Sequence, residues 1–419
     1  MNKKGKPAQR LSNILPPLIF GCATFNTQYN HDPYKLDTVG LVQQALEYGV
    51  RAFDTSPYYG PSEELLGAAL DTDFVHTNVP RADMFYITKV GRIAAEEFDY
   101  SPEWLYQSIR RSLQRLRTDY LDLVYCHDVE FVTGDEVVEA VKELRRIRDE
   151  EGTIKYVGIS GYPLPVLCSL AKRIYRETGE PLDAVMSYAN FTLQNTTLES
   201  YALAELKAAG VDVVPNASPL GMGLLRRVGV PQGATEDWHP SPAGLREAVR
   251  RASDFATGTT NGWKWYALEQ WIVKGETVGS HGDPASGVPW QREANEQVLG
   301  DTKLGISVMG VSNAGELQKT IQVWRSILDG LENGEQTAMH AGRWKRDHEW
   351  SLNRRRAVEI LADGIQEQLG EYLDYAWDSP GKGFVNKRKS KLGEHKGVAG
   401  SAAAPLTPAA DSPTAASGA

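Results

Sequence analysis

The chain of 419 residues carries 45 lysines and arginines against 54 aspartates and glutamates, which gives a net charge of −9. Because phosphate contacts need a basic surface, this balance argues against nucleic acid as a partner. The length allows one large barrel with appendages or two ordinary domains.

Cysteine usage and apolar runs narrow the class further. Cys22, Cys126 and Cys168 are too few and too scattered for a disulfide framework or a zinc site, so we expect no metal. No apolar run is long enough to span a bilayer, and no signal-peptide core follows the basic N-terminus. We therefore expect a cytoplasmic protein without a membrane partner.

Strand-like and helix-like runs alternate from about residue 17 to residue 328. Several of the strand-like runs are almost continuously apolar, as is typical of parallel strands buried on both faces. The predicted strands cover residues 18–25, 51–56, 84–90, 121–128, 154–160, 183–190, 211–219 and 304–311.

The segments between them have apolar residues at three- and four-residue spacing, which predicts helices over 38–49, 62–70, 102–117 and 136–152. Eight alternations favour an α/β fold with a closed (β/α)8 TIM barrel over residues 14–328. A doubly wound open sheet is the alternative, but residues 21–26 lack the GxGxxG turn that it normally carries.

Two regions depart from this alternation. Residues 275–303 form a polar insertion after a predicted helix at 263–273, and it is interpreted as a substrate lid, an inert loop or a gene-model error. Residues 329–380 are predicted to form a helical extension packed on the barrel. The Lys-, Ala-, Pro-, Ser- and Gly-rich composition of residues 381–419 predicts a disordered tail.

Polar residues at the carboxyl ends of three neighbouring predicted strands are the strongest functional signal. They are Asp54, Tyr59 five residues later, Lys89 and His127. Because barrel enzymes carry catalytic residues at these strand ends, we expect the four side chains to converge. A nearby ammonium favours the phenolate of a tyrosine, and the Asp54 carboxylate can pair with Lys89. Such a set suits proton transfer coupled to hydride transfer at a carbonyl.

Each of these residues also has a structural interpretation. Asp54 could cap a loop, Tyr59 could be a surface aromatic and Lys89 could end a strand at the solvent. A buried histidine such as His127 is more often structural than catalytic. Their joint occurrence on consecutive strands favours a catalytic role.

Five segments carry a resemblance to a known family: residues 53–70 (FDTSPYYGPSEELLGAAL), 86–92, 119–128, 154–161 and 216–225. Over about residues 14–325 the chain resembles the aldo-keto reductases. The resemblance implies a (β/α)8 fold and a catalytic tetrad. In that tetrad Tyr59 is the acid/base, Lys89 lowers its pKa, Asp54 supports Lys89, and His127 orients the carbonyl or hydroxyl.

The resemblance also implies a set of cofactor contacts. Ser160 matches the serine that holds the nicotinamide carboxamide. Gly161 replaces the usual asparagine, Met186 stands where a glutamine is common, and Ala217 stands where many members stack an aromatic ring. The expected cofactor-binding residues are Gly21, Cys22, Asp54, Ser160, Met186, Ser218, Leu220, Gly221, Gly223, Gly310, Ser312, Asn313 and Leu317.

The segment expected along the adenosine favours NAD as the cofactor. A 2′-phosphate is usually held by lysine or arginine, and residues 309–318 contain neither. Asn313 stands where NADP-using relatives often carry a cation. NADP remains the alternative, with a cation supplied by Lys303 or Lys319.

Within the family, residues 54–60, 216–225 and 375–381 resemble most the fungal D-arabinose dehydrogenases, and the first two segments are similar to the L-galactose dehydrogenases. This implies NAD-dependent oxidation of a D-arabinose-like aldose at C1 to the aldonolactone, with Tyr59 as general base. Tyr29, Tyr58 and Asn190 lie on loops that should border the substrate beside His127.

Three alternatives to this function remain open. The first is an NADP-dependent reductase of small aldehydes or ketones, which runs the same chemistry in reverse. The second is a cofactor-binding regulatory subunit on the same fold, and the third is a catalytically silent sugar-binding barrel. The sequence leaves the preferred aldose and the oligomeric state undetermined.

Overall fold

A computed structural model describes residues 7–226, 229–230, 238–259, 306–329 and 360–388 of the chain. In this part of the chain eight parallel strands close into a barrel, and a two-stranded antiparallel hairpin lies beside it. In chain order the strands are β1 (Leu18–Gly21), β2 (Ala52–Asp54), β3 (Phe85–Val90), β4 (Arg92–Ala94), β5 (Glu97–Phe98), β6 (Leu121–His127), β7 (Ile154–Gly161), β8 (Ala184–Tyr188), β9 (Asn216–Ala217) and β10 (Ser307–Gly310).

Each barrel strand pairs with the next one along the chain, and the β4–β5 hairpin is the part left out of the ring. The ring is closed by β1 and β10, whose parallel register runs from Leu18 opposite Ser307 to Gly21 opposite Gly310. Each of the eight predicted strands contains one barrel strand. The predicted (β/α)8 barrel is therefore confirmed, and the open doubly wound sheet is excluded.

Helices cover the outside of the barrel. In chain order they are α1 (Thr38–Glu47), α2 (Ser62–Leu70), α3 (Asp73–Asn78), α4 (Pro102–Arg115), α5 (Gly134–Glu151), α6 (Leu164–Thr178), α7 (Leu203–Ala208), α8 (Ala243–Thr259), α9 (Ala314–Asp329) and α10, whose described part covers 360–369. Helix α5 shows the local logic, since Thr133 and Glu136 form a capping box at its start and Gly152 ends it with φ 75°.

The interior has two apolar layers, one inside the barrel and one between strands and helices. Along β6, Leu123 and Tyr125 belong to the inner layer, whereas Val124 and Cys126 belong to the outer one. Because side chains alternate along a strand, His127 continues the series that faces the barrel interior. This alternation brings His127 to the carboxyl end of the barrel with its side chain pointing inward.

The N-terminal segment closes the opposite end of the barrel. Leu11 and Leu15 are fully buried among the inner-layer side chains. Ser12 donates a hydrogen bond to Asp212 at 2.7 Å, and Arg10 pairs with the same carboxylate. Arg10, Leu11 and Ser12, which precede the predicted domain start at residue 14, therefore contribute to this end of the barrel.

The described part of the C-terminal extension packs on the barrel, as predicted. Ile365 and Leu369 of α10 are buried, and the Gln194 amide donates to the backbone oxygens of Tyr372 and Tyr375 at 2.8 and 2.9 Å. Gln194 belongs to the loop after β8. These bonds fix the chain beyond α10 to the carboxyl end of the barrel.

The chain keeps defined contacts beyond residue 380, where a disordered tail was predicted. Phe384 packs against Phe131 with ring centroids 4.9 Å apart, and Asn386 pairs with both backbone groups of Phe98. The predicted tail start at Gly381 is therefore wrong, because one aromatic and one amide anchor the segment to the β4–β5 hairpin.

None of the described helices is long and apolar enough to cross a membrane. The predicted helix at 263–273, the insertion at 275–303, residues 330–359 of the extension and residues 389–419 of the tail lie outside the described residues.

Candidate active site

The four residues predicted to carry chemistry come together at the carboxyl end of the barrel. Asp54 ends β2, Lys89 lies near the end of β3 and His127 ends β6. Tyr59 lies in the turn between β2 and α2. Because β2, β3 and β6 are consecutive around the barrel, all four side chains border one cavity.

Lys89 and Asp54 form a buried ion pair. Lys89 Nζ lies 2.5 Å from Asp54 Oδ1 and donates to the Thr55 carbonyl at 2.8 Å. Lys89 is 1% exposed and Asp54 is 4% exposed. Burial raises the pKa of Asp54 although Lys89 opposes the rise. Removal of either residue would leave the charge of the other unbalanced in the interior. Each residue therefore holds the other in position.

Tyr59 stands between the ammonium and the imidazole. Lys89 Nζ lies 4.9 Å from the Tyr59 ring centroid, and the His127 ring lies edge-on at 5.7 Å. Burial first, and then the negative charges of Asp54 and Asp128, raise the pKa of Tyr59 well above its ordinary value. The predicted contribution of Lys89, which favours the phenolate, stays a prediction.

His127 is neutral and is oriented by a serine that the sequence analysis missed. Burial lowers the pKa of His127 to about 3, and the charges of Lys89 and Arg92 lower it as well. Ser56 Oγ lies 3.1 Å from His127 Nδ1 and accepts the backbone N–H of Tyr58. We expect the serine to donate to Nδ1, which would leave the hydrogen on Nε2.

Arg92 and Asp128 form a second ion pair in the same cavity, beside His127. The Arg92 guanidinium also stacks on the Tyr58 ring at 3.9 Å and donates to the Tyr58 hydroxyl at 3.1 Å. Asp128 Oδ2 lies 3.6 Å from His127 Nε2. The sequence analysis missed both residues. A charged residue directly after a predicted catalytic histidine was the signal that could have indicated Asp128.

The cavity above these residues has a volume of about 920 Å³, within the range of roughly 300–1,000 Å³ typical of ligand sites. Residues Trp377, Asp378, Ser379 and Gly381 of the C-terminal segment line one wall. Trp377 is held there by stacking on Tyr162, with ring centroids 4.6 Å apart and planes 4° apart. Sequence reasoning missed this wall, because nothing in the local pattern of residues 377–381 ties it to the barrel.

A buried carboxyl group explains the glycine at position 161. Glu130 Oε1 accepts hydrogen bonds from the Tyr162 backbone and from Ser379 Oγ, at 3.1 and 3.0 Å. A Cβ on Gly161 would lie 2.4 Å from Glu130 Oε2. The usual asparagine would therefore require the Glu130 carboxyl group to move. Burial first, and then the charge of Asp128, raise the pKa of Glu130 to about 8.

Most of the residues expected to hold the cofactor line this cavity. They are Gly21, Asp54, Ser160, Met186, Ser218, Leu220, Gly223, Gly310, Ser312 and Asn313. Cys22, Gly221 and Leu317 are not among the residues that line the cavity, and their contacts with the cofactor stay predictions. Cys22 and Leu317 have their side chains in the outer apolar layer. The Gly221 carbonyl accepts a hydrogen bond from His239.

The far end of the cavity suits a dinucleotide. It reaches the N-terminus of α9, where Asn313 Oδ1 caps the Glu316 N–H at 3.0 Å and Glu316 accepts the Ser312 N–H at 2.8 Å. A helix N-terminus favours negative charge, and its free N–H groups bind phosphate. Arg226 lies here as well and pairs with Glu316 at 3.4 Å. A cleft that joins a buried tetrad to such a helix start fits a nicotinamide dinucleotide.

Of the residues expected at the substrate, Tyr29, Tyr58 and His127 line the cavity. Asn190 is not among the residues that line the cavity, and its place at the substrate stays a prediction. Its amide donates to the Tyr162 carbonyl at 2.6 Å and to Ser187 Oγ at 2.9 Å, so it ties the loop after β8 to the loop after β7. It is a buried residue that satisfies backbone groups.

Comparisons with known proteins agree with this site. A family model described as the Aldo/keto reductase family matches residues 17–335. The chain is 41% identical over 288 residues to D-arabinose 1-dehydrogenase of Saccharomyces cerevisiae, covering 66% of this chain and 82% of that protein. It is 39% identical over 219 residues to L-galactose dehydrogenase of Arabidopsis thaliana, covering 52% of this chain and 64% of that protein.

The chain also resembles the crystal structure of an aldo/keto reductase from Brucella melitensis, with a TM-score of 0.47 and 16% identity over 83% of this chain and 95% of that one. The family match covers the barrel and its four converging residues. The chain belongs to the aldo-keto reductase family, whose members are oxidoreductases that use nicotinamide cofactors.

Proposed function

We propose that this oxidoreductase oxidises an aldose of the D-arabinose type at C1 to the aldonolactone, with NAD as the hydride acceptor. The observation that carries the proposal is the convergence of Asp54, Tyr59, Lys89 and His127 at the base of one cavity. The printed activities of the yeast and Arabidopsis relatives, both sugar dehydrogenases, support the choice of an aldose.

Tyr59 is proposed to move the proton. In the oxidation it accepts the proton of the C1 hydroxyl while the C1 hydrogen leaves as a hydride, and C1 becomes the carbonyl carbon of the lactone. An oxidised nicotinamide, when bound, would supply the hydride acceptor. Because the pKa of Tyr59 is raised in the protein alone, the oxidation is expected to accelerate as the pH rises.

His127 and the Asp54–Lys89 pair are proposed to orient the reacting groups. His127, whose pKa burial lowers to about 3, would donate a hydrogen bond from Nε2 to the substrate oxygen, and Ser56 contacts its other ring nitrogen. Lys89 lies 4.9 Å from the Tyr59 ring centroid and stabilises negative charge as it develops on the phenol oxygen. Asp54 holds that ammonium in place.

The electrostatics near α9 support NAD over NADP. Glu316 lies at the first turn of α9 and already balances Arg226. The Glu316 carboxylate would repel the 2′-phosphate of NADP if that phosphate were bound beside it. Lys319 also lines the cavity. The choice between NAD and NADP therefore depends on whether the charge of Glu316 or that of Lys319 lies closer to the adenosine ribose.

The proposed function is tested with the full chain by following the absorbance of the reduced nicotinamide. D-Arabinose, L-galactose and L-fucose are each supplied with NAD and with NADP. The expected result is reduction of NAD by at least one aldose and its loss in Tyr59→Phe. The matched control is Tyr48→Phe, which removes an equivalent hydroxyl from the end of α1, away from the cavity-lining residues. No turnover with any aldose would overturn the proposal.

The reverse reaction is the second candidate, and the protonation of Tyr59 favours it. A phenol that keeps its proton suits a general acid, which delivers a proton to a carbonyl oxygen during reduction. Steady reduction of small aldehydes by NADPH, together with no aldose oxidation, would favour this function.

A further inference from the structure

We propose that the Arg92–Asp128 pair binds the substrate hydroxyl next to the reacting carbon, and so selects sugars over simple carbonyl compounds. This inference rests on the proposed function and deepens it. It assigns substrate recognition to two residues of the same cavity that lie outside the four converging residues.

The position of Asp128 is the first support. Asp128 Oδ2 lies 3.6 Å from His127 Nε2, the nitrogen proposed to bind the reacting oxygen. Both side chains line the same cavity, so the carboxylate and the imidazole border the same part of the substrate space. A hydroxyl on the neighbouring carbon, bound beside the reacting oxygen, therefore falls within reach of Asp128.

The chemistry of the pair is the second support. An ionised carboxylate only accepts hydrogen bonds, whereas a guanidinium only donates them. A hydroxyl group does both, so it can donate to Asp128 while it accepts from a neighbouring N–H. A carbonyl oxygen or a methylene group has no hydrogen to donate to the carboxylate. The pair therefore discriminates in favour of polyhydroxy substrates.

The pair is rigid and charged before any substrate arrives. Asp128 is 3% exposed and adopts a left-handed backbone conformation with φ 55°, which non-glycine residues rarely adopt. Arg92 is held by stacking on Tyr58 at 3.9 Å and by the hydrogen bond to its hydroxyl. Such preorganised groups lose little freedom when they bind a hydroxyl.

Aromatic rings complete a site of the kind that binds sugars. Tyr58 and Phe131 line the cavity around the guanidinium, and Trp377 faces it from the C-terminal wall. Apolar ring faces pack against C–H groups, while the ion pair binds hydroxyls. Phe131 lies with its ring centroid 5.5 Å from Arg92 Cζ, so aromatic and charged groups form one continuous surface.

The test compares an aldose with its 2-deoxy analogue, using Asp128→Asn and the double variant Arg92→Met/Asp128→Asn. For D-arabinose the analogue is 2-deoxy-D-ribose, which lacks only the neighbouring hydroxyl. The ratio of kcat/KM for the two sugars is measured with NAD on the same preparation, so the fraction of folded enzyme cancels. In wild type the ratio is expected to exceed about tenfold, the value of one hydrogen bond to a charged group.

In both variants the ratio is expected to fall toward one, mainly through KM for the full sugar. The matched control is Asp122→Asn, which removes a carboxylate charge from the other end of β6, where Asp122 pairs with Arg81 at 2.8 Å. Its ratio should stay at the wild-type value. A ratio unchanged in Asp128→Asn, with aldose oxidation intact in wild type, would overturn this inference alone. A wild type that oxidises no aldose would overturn the proposed function and this inference together.

Discussion

Ser56 Oγ lies 3.1 Å from Nδ1 of His127, and the same oxygen accepts the backbone N–H of Tyr58 at 3.1 Å. The serine is fully buried and belongs to the turn that also carries Tyr59. One hydroxyl thus joins the turn of the proton-transferring tyrosine to the orienting histidine. We expect the serine to donate its hydrogen bond to Nδ1, which would place the imidazole hydrogen of His127 on Nε2.

Ser56→Ala should lower kcat by about tenfold or more, with a smaller change in KM, because Nε2 no longer reliably carries the hydrogen. The tautomer is read directly from the ¹⁵N chemical shifts of His127. Ser62→Ala is the control, since it removes a second buried hydroxyl, one that contacts Thr55 at 2.8 Å rather than His127. Ser56→Thr should restore the tautomer. An unchanged ¹⁵N spectrum in Ser56→Ala would show that Ser56 has only a packing role.

Lys89→Met should destabilise the fold by about 3–5 kcal/mol, because it leaves the Asp54 carboxylate charged and buried. Asp54→Leu/Lys89→Met, which removes both charges, should be more stable than the single variant. Urea unfolding measures both free energies. Lys142→Met serves as the control, since Lys142 is 46% exposed and its pairing with Glu139 should contribute less than about 1 kcal/mol. A single variant as stable as the double would contradict the assignment of a charged buried pair.

The cofactor preference should respond to Glu316. Glu316→Gln removes the negative charge that balances Arg226 at the start of α9, and it should improve kcat/KM for NADP relative to NAD by about two- to fivefold. Glu139→Gln makes the same substitution on the exposed face of α5, where its side chain is 65% exposed. It should leave the ratio unchanged. A ratio that moves toward NAD in Glu316→Gln would contradict the proposed role of this carboxylate.

Glu130 should make stability depend on pH. Its pKa is raised to about 8 by burial and by the charge of Asp128, so the folded state keeps a proton that the unfolded state loses above roughly 4.3. This contribution is fully present below that value and is lost as the pH rises through about 8. The Tm of wild type should therefore fall over this interval more than the Tm of Glu130→Gln, which mimics the neutral acid. Parallel Tm curves for the two proteins would refute this.

The barrel could be predicted from sequence because its strands are nearly continuous apolar runs separated by helical periods. The four converging residues could be predicted for a related reason. Asp54, Lys89 and His127 end consecutive strands, and closure of the barrel alone brings strand ends together. The position of Cys22 could not be predicted from its place in the sequence alone. Cys22 directly follows Gly21 of β1, but its side chain faces the outer apolar layer.

The remaining parts of the site depend on contacts between distant segments. Trp377 reaches the cavity only because Tyr162 offers it a stacking surface, and no period in residues 375–381 indicates that contact. Phe384 lies beyond the predicted start of the tail at Gly381, and its packing on Phe131 keeps the chain on the barrel there. Leu11, before the predicted start at residue 14, and Leu15, just after it, close the far end of the barrel. Such loop and terminal contacts follow from tertiary packing rather than from local sequence.

The most direct test of the proposed function follows the hydrogen at C1 of the sugar. The full chain is supplied with NAD and D-arabinose that carries deuterium at C1, and the reduced cofactor and the sugar product are analysed by NMR. The account predicts that the deuterium is transferred to the nicotinamide, that the product is the lactone, and that Tyr59→Phe abolishes the transfer. A reduced cofactor that carries only hydrogen, or a product that keeps its deuterium, would contradict the proposal of hydride transfer from C1.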